Sequence, residues 1–548
     1  MVIPSTQHAV QIVGPDEFVM ATAKPVDPVG PHQLLMEVEA CGICFSDTKL
    51  LHSFDQHPRK AELVGGLSAA ELREIPSYHP GAEPTVPGHE PVGRIVAVGE
   101  LVSHFVVGDR VLVQADWKHL PTKTSSGAFG YNFEGALQEY VVIDERCVVS
   151  PSGEEMLLHV SASASAASLG LIEPWATVEG AYSGAERVSP LRRGRMLVAI
   201  EEGAAVEGLA DLVAAGSPSV LVRLEAAAPA KSSLDRQLDF LNGQLFDDII
   251  YFGSRSAFIG RLGDLLDNHG LLNTVLGGRQ LDGLVSIDIG RVHYHFIRYC
   301  GTPVSDPRAG YAWMPGTAAL RPGDSISIIG AAGPMGLMHT VRAVSSGLPD
   351  LSIVATDLSD ERLQHLESVV SPLAEDRGVP VRYLNTQRDL APADTSYLVC
   401  LVPIPDVVAK AVESAGEGAI VNAFAGIPAG VKGHLNLQRI IDKQIFLTGS
   451  SGSGQADMAT VLERIESGAL DTTISLDAVC GMAGFPDAIR SVIERTSSGK
   501  IVVYPSLHDL PLVRLADLGE VLPTVAAKLV DGRWTSAAEQ ALLATRNR

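Results

Sequence analysis

Two stretches of this chain repeat one another, and that repetition constrains the fold more than any other feature. LRRGRMLVAIEEGAAVEGL (191–209) parallels LRPGDSISIIGAAGPMGLM (320–338), and FDDIIYFGSRSAFIGRLGDLLDNHGLLNTVLGG (246–278) parallels ADTSYLVCLVPIPDVVAKAVESAGEGAIVNAFAG (393–426). The interval from Gly278 to Gly301 equals that from Gly426 to Gly449, and Arg291 and Arg439 precede the later glycine by the same step. Strand-length apolar runs alternate with helical patterns, as in a sheet with crossover helices. The sequence therefore predicts two tandem α/β domains of similar, doubly wound topology.

The second copy carries a ligand signature. In SISIIGAAGPMGLMHTVRAV (325–344) an apolar strand runs into Gly330, Gly333 and Gly336, with Pro334 and Met335 inside the turn, and a helical pattern follows. LSIVATDLSDERL then ends a second strand on Asp357, with Arg362 shortly after. Such glycines let a pyrophosphate approach a helix N-terminus, and an acid after the second strand suits the adenine ribose hydroxyls, favouring NAD(H) over NADP(H). Gly330, Gly333, Pro334, Met335, Gly336, Asp357 and Arg362 are the candidate coenzyme contacts. In the first copy Glu201 stands in the place of Gly330 and Glu202 follows, while Arg223 and Leu224 fall near the place of Asp357. Carboxylates there repel a pyrophosphate, so this copy reads as degenerate, a structural or interface domain.

Sixty-four acidic against 42 basic side chains give a formal charge of −22, which argues against nucleic acid or an anionic membrane as partner. No secretory signal pattern is visible, the apolar run YLVCLVPIPDVVAKAV is broken by prolines and Asp406, and six scattered cysteines read as reduced thiols. A cytoplasmic protein is expected.

ACGICFSDTKLLH (40–52) sets Cys41 and Cys44 three positions apart, which fits a redox dithiol, half of a structural zinc site, or one ligand beside a bystander. Glycine-punctuated, β-branched segments follow in PTVPGHEPVGRIVAVG (84–99), VVGDRVLV and GALQEYVVI, and read as a β-rich domain ahead of the repeat. SASASAASLGLIEPWATVEGAY (161–182) reads as helical and carries Glu173. Cys44, His89 and Glu173 thus come from three segments, and sulfur, imidazole and carboxylate together can hold Zn²⁺ with one position open. By spacing alone, a lone His or Glu is more often structural.

These pieces resemble a zinc-dependent medium-chain dehydrogenase/reductase of the polyol dehydrogenase type. The resemblance rests on GICFSDTKL, VPGHEPVGRIVAVG, VVGDRVLV, IEPWATVEGAY, the 330–357 unit and ESGALDTTISL…GKIVVYP. CFSDTKL, IGAAGPMGLM and VPIPDVV point within it to the L-sorbose-1-phosphate reductase branch. It implies a GroES-like catalytic domain (1–186, completed by 471–506) and an NAD(P)-binding Rossmann domain (313–470); the degenerate Rossmann-like repeat between them (187–312) is the largest departure from the family, and 507–548 reads as a C-terminal helical tail. It further implies Cys44, His89 and Glu173 as ligands of one catalytic zinc, Glu90 as a neighbouring acid that approaches the metal, and Asp47 as the acid that steadies His89. Ser46 matches the hydroxyl that relays the substrate proton, and Cys41 matches no ligand.

Two departures from the family stand out. Lys49 replaces the histidine that ends the proton relay in many relatives. Residues 108–139 lack the cysteines of a structural zinc, so no structural zinc is expected. The implied activity is hydride transfer between NAD(P) and a secondary alcohol or ketone of a polyol or sugar, which could be a sugar phosphate. Lys49, His52, His57, Arg59, Lys60, Lys118, His119 and Lys123 form a local basic excess that would suit a phosphate, or a solvated surface. A zinc-free quinone-reductase-like enzyme and a nucleotide-binding sensor or scaffold are the competing readings. Relatives dimerise through nucleotide-sheet edges, so either a homodimer or an internal pseudo-dimer of the two copies is expected, with the apolar edge VHYHFIRYCGT in need of cover.

Overall fold

The centre of the β-rich region is the strand Gln33–Ile43, whose side chains are buried on both faces over most of its length. In this computed structural model, residues 3–161, 163–225, 232–241 and 243–547 are described. They divide into two compact units, residues 1–179 with 452–548, and residues 180–451.

In the first unit Gln33–Ile43 lies antiparallel to Glu90–Val98, and its two ends pair on the other side with Tyr140–Asp144 and Lys500–Val503. The sheet runs Val513–Arg514, Leu476–Cys480, Lys500–Val503, Gln33–Ile43, Glu90–Val98, Arg110–Val113, Leu157–His159. Its core joins Val38, Cys41 and Ile43 to Trp117, Phe129, Phe133, Val503 and Phe485, so the late segment packs into the early one. The register sets Gly42 opposite Glu90 and Cys41 opposite Val503. A side chain at Gly42 would meet the Glu90 carboxylate, so a larger residue there would displace that buried acid. The helix Gln455–Glu466 belongs to this unit too, although the sequence groups it with the nucleotide domain.

The C-terminal tail is helical, with short helices Leu518–Val521, Pro523–Ala526 and Ser536–Leu543. Leu518, Val525, Trp534 and Leu542 are buried. Glu539 accepts hydrogen bonds from the Ala166 and Ala167 amides (2.6 and 2.8 Å) and from the Tyr504 hydroxyl (2.8 Å), fastening the tail to the helix Ala166–Gly170.

The second unit contains the repeat. Its parallel sheets run Val220–Glu225, Arg195–Ile200, Phe246–Phe252, Leu266–Val275, Arg298–Thr302 in the first copy, and Val381–Asn385, Ser352–Asp357, Ser325–Ile329, Thr395–Cys400, Ala415–Asn422, Phe446–Thr448 in the second. Strand order is shared, with one added edge strand in the second copy. The repeated arginines do the same job: Arg291 donates to the carbonyls of Gly263 and Leu266, and Arg439 to those of Val412 and Ala415, at the start of corresponding strands.

The copies are joined directly. Val285–Asp288 pairs antiparallel with Lys432–Leu435, and one apolar core runs through both sheets. Arg298 donates to the Gly449 carbonyl (3.0 Å) and to Glu186, which also accepts from the Thr448 hydroxyl (2.8 Å). The apolar edge of the first copy is thereby covered by the second. Glu225 stands opposite Ile200 as Thr356 stands opposite Ile329. An acid therefore does occur near the place of Asp357, one residue early, where strand alternation turns it to the other face.

Candidate functional site

The first unit brings the sequence candidates together. Cys44 ends the chain segment leaving the central strand and caps the helix Phe45–Ser53, while His89 immediately precedes the strand Glu90–Val98. The Cys44 sulfur, a His89 ring nitrogen and a Glu90 carboxylate oxygen lie within 4.8 Å of one another. Cys41 is fully buried in the core, its thiol pushed up by burial and by the Asp47 and Glu90 charges, and stands outside this trio. Cys44 alone of the pair faces the site.

Each member is held. Asp47, on the first turn of the helix, accepts from the Cys44 amide at 2.8 Å and meets His89 Nδ1 at 3.2 Å. Burial would raise the Asp47 carboxyl, and the facing His89 instead brings it below its ordinary value. Burial opposes charge on His89, yet Tyr131 and Asp47 raise it well above the usual imidazole range. Ser46 Oγ lies 3.1 Å from His89 Nε2. Glu90 Oε1 accepts from Lys500 Nζ at 2.6 Å, and its other oxygen is buried without a hydrogen-bond partner. Burial works against the Lys500 ammonium, and Glu90 with Cys44 overcomes it, so lysine stays charged.

Glu173, on the helix Ile172–Ser183, is outside the tight trio; Thr177 donates to it at 3.3 Å. Burial pushes its carboxyl up to about 7, with His89, Glu90, Lys500 and Asp116 as the charges acting on it. Soft sulfur, imidazole and an orphaned carboxylate oxygen are a donor set that suits Zn²⁺.

The basic residues separate. Lys60 is fully buried and donates to the carbonyls of His79 and Glu83. His52 is exposed beside Asp16. Arg59 donates to Asp116 at 2.8 Å, lies over the Tyr131 ring and feels the Glu173 charge. Lys49 extends over Phe45. Sequence reading missed Lys500, Tyr131 and the Arg59–Asp116 pair. The one available signal was a lysine opening the apolar run KIVV.

In the second unit Gly330 turns at φ +82°, and Pro334 opens the helix Pro334–Val344 after Gly333. A side chain at Gly336 would meet the Ala331 carbonyl oxygen at 2.2 Å, so the helix packs tightly on the glycine turn here. Asp357 accepts from the Ala332 amide at 3.2 Å, and Arg362 donates from Nε to the Ala332 carbonyl at 3.0 Å, with its guanidinium 3.7 Å from Asp357. Met335 lies in the helix's first turn. These residues form an open glycine turn at a helix N-terminus, an arrangement that suits an anion. The corresponding end of the first copy is filled: Glu201 accepts from the Tyr251 hydroxyl (2.5 Å), Arg255 (2.7 Å), Arg279 (3.1 Å) and the Ser254 amide (3.2 Å).

Residues 30–152 match the alcohol dehydrogenase GroES-like domain. The chain is 25% identical over 322 residues to the protein YggP of Escherichia coli, covering 54% of this chain and 72% of that one. It is 28% identical to mannitol-1-phosphate 5-dehydrogenase of Aliivibrio fischeri (41% of this chain, 57% of the relative) and 25% identical to L-sorbose 1-phosphate reductase of Klebsiella pneumoniae (45% and 67%). Among solved structures, 2R,3R-butanediol dehydrogenase from Bacillus subtilis superposes with a TM-score of 0.53 at 15% identity, over 91% of this chain and all of that one. That likeness is one of fold. No helix among the described residues is long and apolar enough to cross a membrane.

Proposed function

From the premise that this chain is an oxidoreductase homologous to the zinc-type alcohol and polyol dehydrogenases, we propose that it moves hydride between NAD(H) and a secondary alcohol or ketone of a polyol, sugar or sugar phosphate, in the cytoplasm and with one catalytic zinc. The observation that carries this reading is the convergence of Cys44, His89 and Glu90, with Ser46 against the imidazole.

Cys44 and His89 would hold the zinc, with Glu173 or Glu90 as the carboxylate donor, and the bound ion would supply a Lewis acid to the substrate oxygen. The nicotinamide supplies or accepts the hydride. Asp47 fixes the His89 ring through Nδ1, leaving Nε2 toward the site. Ser46 takes the proton from the substrate hydroxyl or returns it, and Lys49, one turn along the same helix face, is the outward end of that path. Lys500 balances the Glu90 charge, so the interior carries one compensated acid. Gly330, Gly333 and Gly336 admit the coenzyme pyrophosphate, and Asp357 takes its ribose.

The sugar-phosphate relatives make a phosphorylated substrate the first class to test, with Arg59 and Lys49 as its anion contacts. The internal pairing of the two copies supports a pseudo-dimer in one chain, for which sedimentation at the monomer mass is expected.

The test is metal analysis of the full chain and of Cys44→Ser, with NADH binding followed in both and polyols and their phosphates screened as substrates. Zinc lost from the Cys44 site, NADH binding retained and turnover abolished is the expected result. Turnover that survives Cys44→Ser would overturn the zinc reading in favour of a zinc-free reductase.

A further inference from the structure

A second cluster of ligand-type side chains lies outside the site above. His8 is on the strand Thr6–Gly14, Glu139 immediately precedes Tyr140–Asp144, and His508 follows Lys500–Val503. One ligand atom from each lies within 4.8 Å of the other two. His8 Nδ1 is 3.4 Å from Glu139 Oε2, and His508 Nε2 is 3.0 Å from Glu139 Oε1. Neither nitrogen makes a hydrogen bond, although both are buried from solvent. The rings are tilted by 31° to one another, with centroids 3.7 Å apart.

Two imidazole nitrogens without hydrogen bonds, aimed at one carboxylate, are costly as they stand, because a buried polar atom without a partner forfeits its solvation. A divalent transition metal removes that cost. We propose that His8, Glu139 and His508 bind a second Zn²⁺, with water as fourth ligand, as a clamp on the fold. Two imidazoles and a carboxylate are a known zinc donor set, and all three side chains retain some solvent access, through which ion and water can enter. The Glu139 carboxylate is positioned independently, since Oε2 also accepts from the His8 amide at 2.9 Å. His508 is held by its carbonyl, which accepts from the Ala483 amide. The ion would cross-link the first strand, a middle strand and the segment that begins the C-terminal tail, three pieces of one unit that meet only in the folded chain.

The test uses the full chain, stripped of metal and titrated with Co²⁺, comparing wild type, Cys44→Ser, His508→Asn and the double variant. Cobalt at Cys44 gives a thiolate charge-transfer band, whereas cobalt at the proposed site gives only d–d absorption. His508→Asn is expected to lose one equivalent of cobalt while keeping the charge-transfer band, and Cys44→Ser to keep one equivalent without that band. Zinc should raise the thermal midpoint of Cys44→Ser by several degrees and leave the double variant unmoved. Should His508→Asn fail to fold, Cys44→Ser alone decides. Failure of Cys44→Ser to bind stoichiometric cobalt, or equal stoichiometry in wild type and His508→Asn, would overturn the proposal. Neither result bears on the Cys44 site, which the charge-transfer band reports separately.

Discussion

After Ile329 the backbone turns at Gly330 with φ +82°, whereas the equivalent position after Ile200 carries Glu201. In one copy the strand end is left open by glycines and a helix N-terminus. In the other a carboxylate takes the hydrogen bonds of Tyr251, Arg255, Arg279 and the Ser254 amide. The first arrangement suits an external anion, and the second supplies its own. Shared strand order and a shared core therefore do not imply a shared ligand, because recognition resides in the turn after the first strand.

The largest expected effect comes from closing the open turn. Gly336→Val places a side chain 2.2 Å from the Ala331 carbonyl oxygen and should weaken NADH binding at least ~100-fold, about 3 kcal/mol, in a fluorescence titration. Gly203→Ala in the filled copy strains a turn at φ +67° but meets nothing closer than the Arg279 guanidinium at 3.8 Å, and should leave NADH affinity unchanged. NADH binding lost in both variants would mean that the filled copy also takes coenzyme.

Glu201→Ala probes the filled copy from the other side. It removes one partner from the half-buried Arg255 and Arg279, which keep Asp235 and the Glu202 carbonyl, and takes the acceptor from the Tyr251 hydroxyl. Allowing for their remaining solvent exposure, the expected loss is about 2–3 kcal/mol in urea denaturation, without gain of a second NADH site. A stability unchanged by Glu201→Ala would show that the carboxylate is no plug.

How much of this was visible in the sequence varies by region. The repeat was legible because parallel strands buried on both faces appear as apolar runs, and their order carried through to the structure. The joint between the copies was not: VSID and KGHL are too short and too polar to signal a strand pair. Cys44, His89, Ser46 and Asp47 were legible through the resemblance, and they do converge. Lys500 was hidden, since a lysine at a strand start ordinarily reads as solvated, and only the pairing of Lys500–Val503 with Gln33–Ile43 brings it to Glu90. The helix Gln455–Glu466 has an amphipathic pattern that does not say which core it joins. His8, Glu139 and His508 each lie more than a hundred positions from the next, so spacing carries no information about their meeting.

Acid should distinguish the copies next. His339, on the helix of the open copy, is fully buried, with Nδ1 2.7 Å from the Tyr182 hydroxyl and Nε2 without a partner. Burial, with Arg342 nearby, pushes its pKa down to about 3. The unfolded chain protonates near 6.5 and the folded one does not, so its stability is complete above pH 6.5 and declines as pH falls toward 3. Between pH 7 and pH 5 the loss from this group is about 2 kcal/mol. His339→Gln should flatten that part of the stability–pH curve. The matching position in the filled copy is Ala210, so hydrogen exchange at pH 5 should open the strands around Ser325–Ile329 before those around Arg195–Ile200.

The smallest effect concerns the dinucleotide preference proposed for the open copy. Asp357 is the last residue of its strand, and its carboxylate also accepts from the Leu358 amide at 2.8 Å, which fixes its direction. A ribose with free hydroxyls finds an acceptor there, whereas a 2′-phosphate meets like charge. Arg362 lies close enough to soften that repulsion, so discrimination should be modest. Asp357→Ala leaves Arg362 facing the same place without its acid. The ratio of NADPH to NADH affinity should then rise about tenfold, roughly 1.4 kcal/mol. The filled copy, whose strand end carries Glu225 on the opposite face, has no such switch. A ratio that stays constant in Asp357→Ala would show that the acid only braces the glycine turn through the Ala332 amide, and that Arg362 or another group reads the ribose.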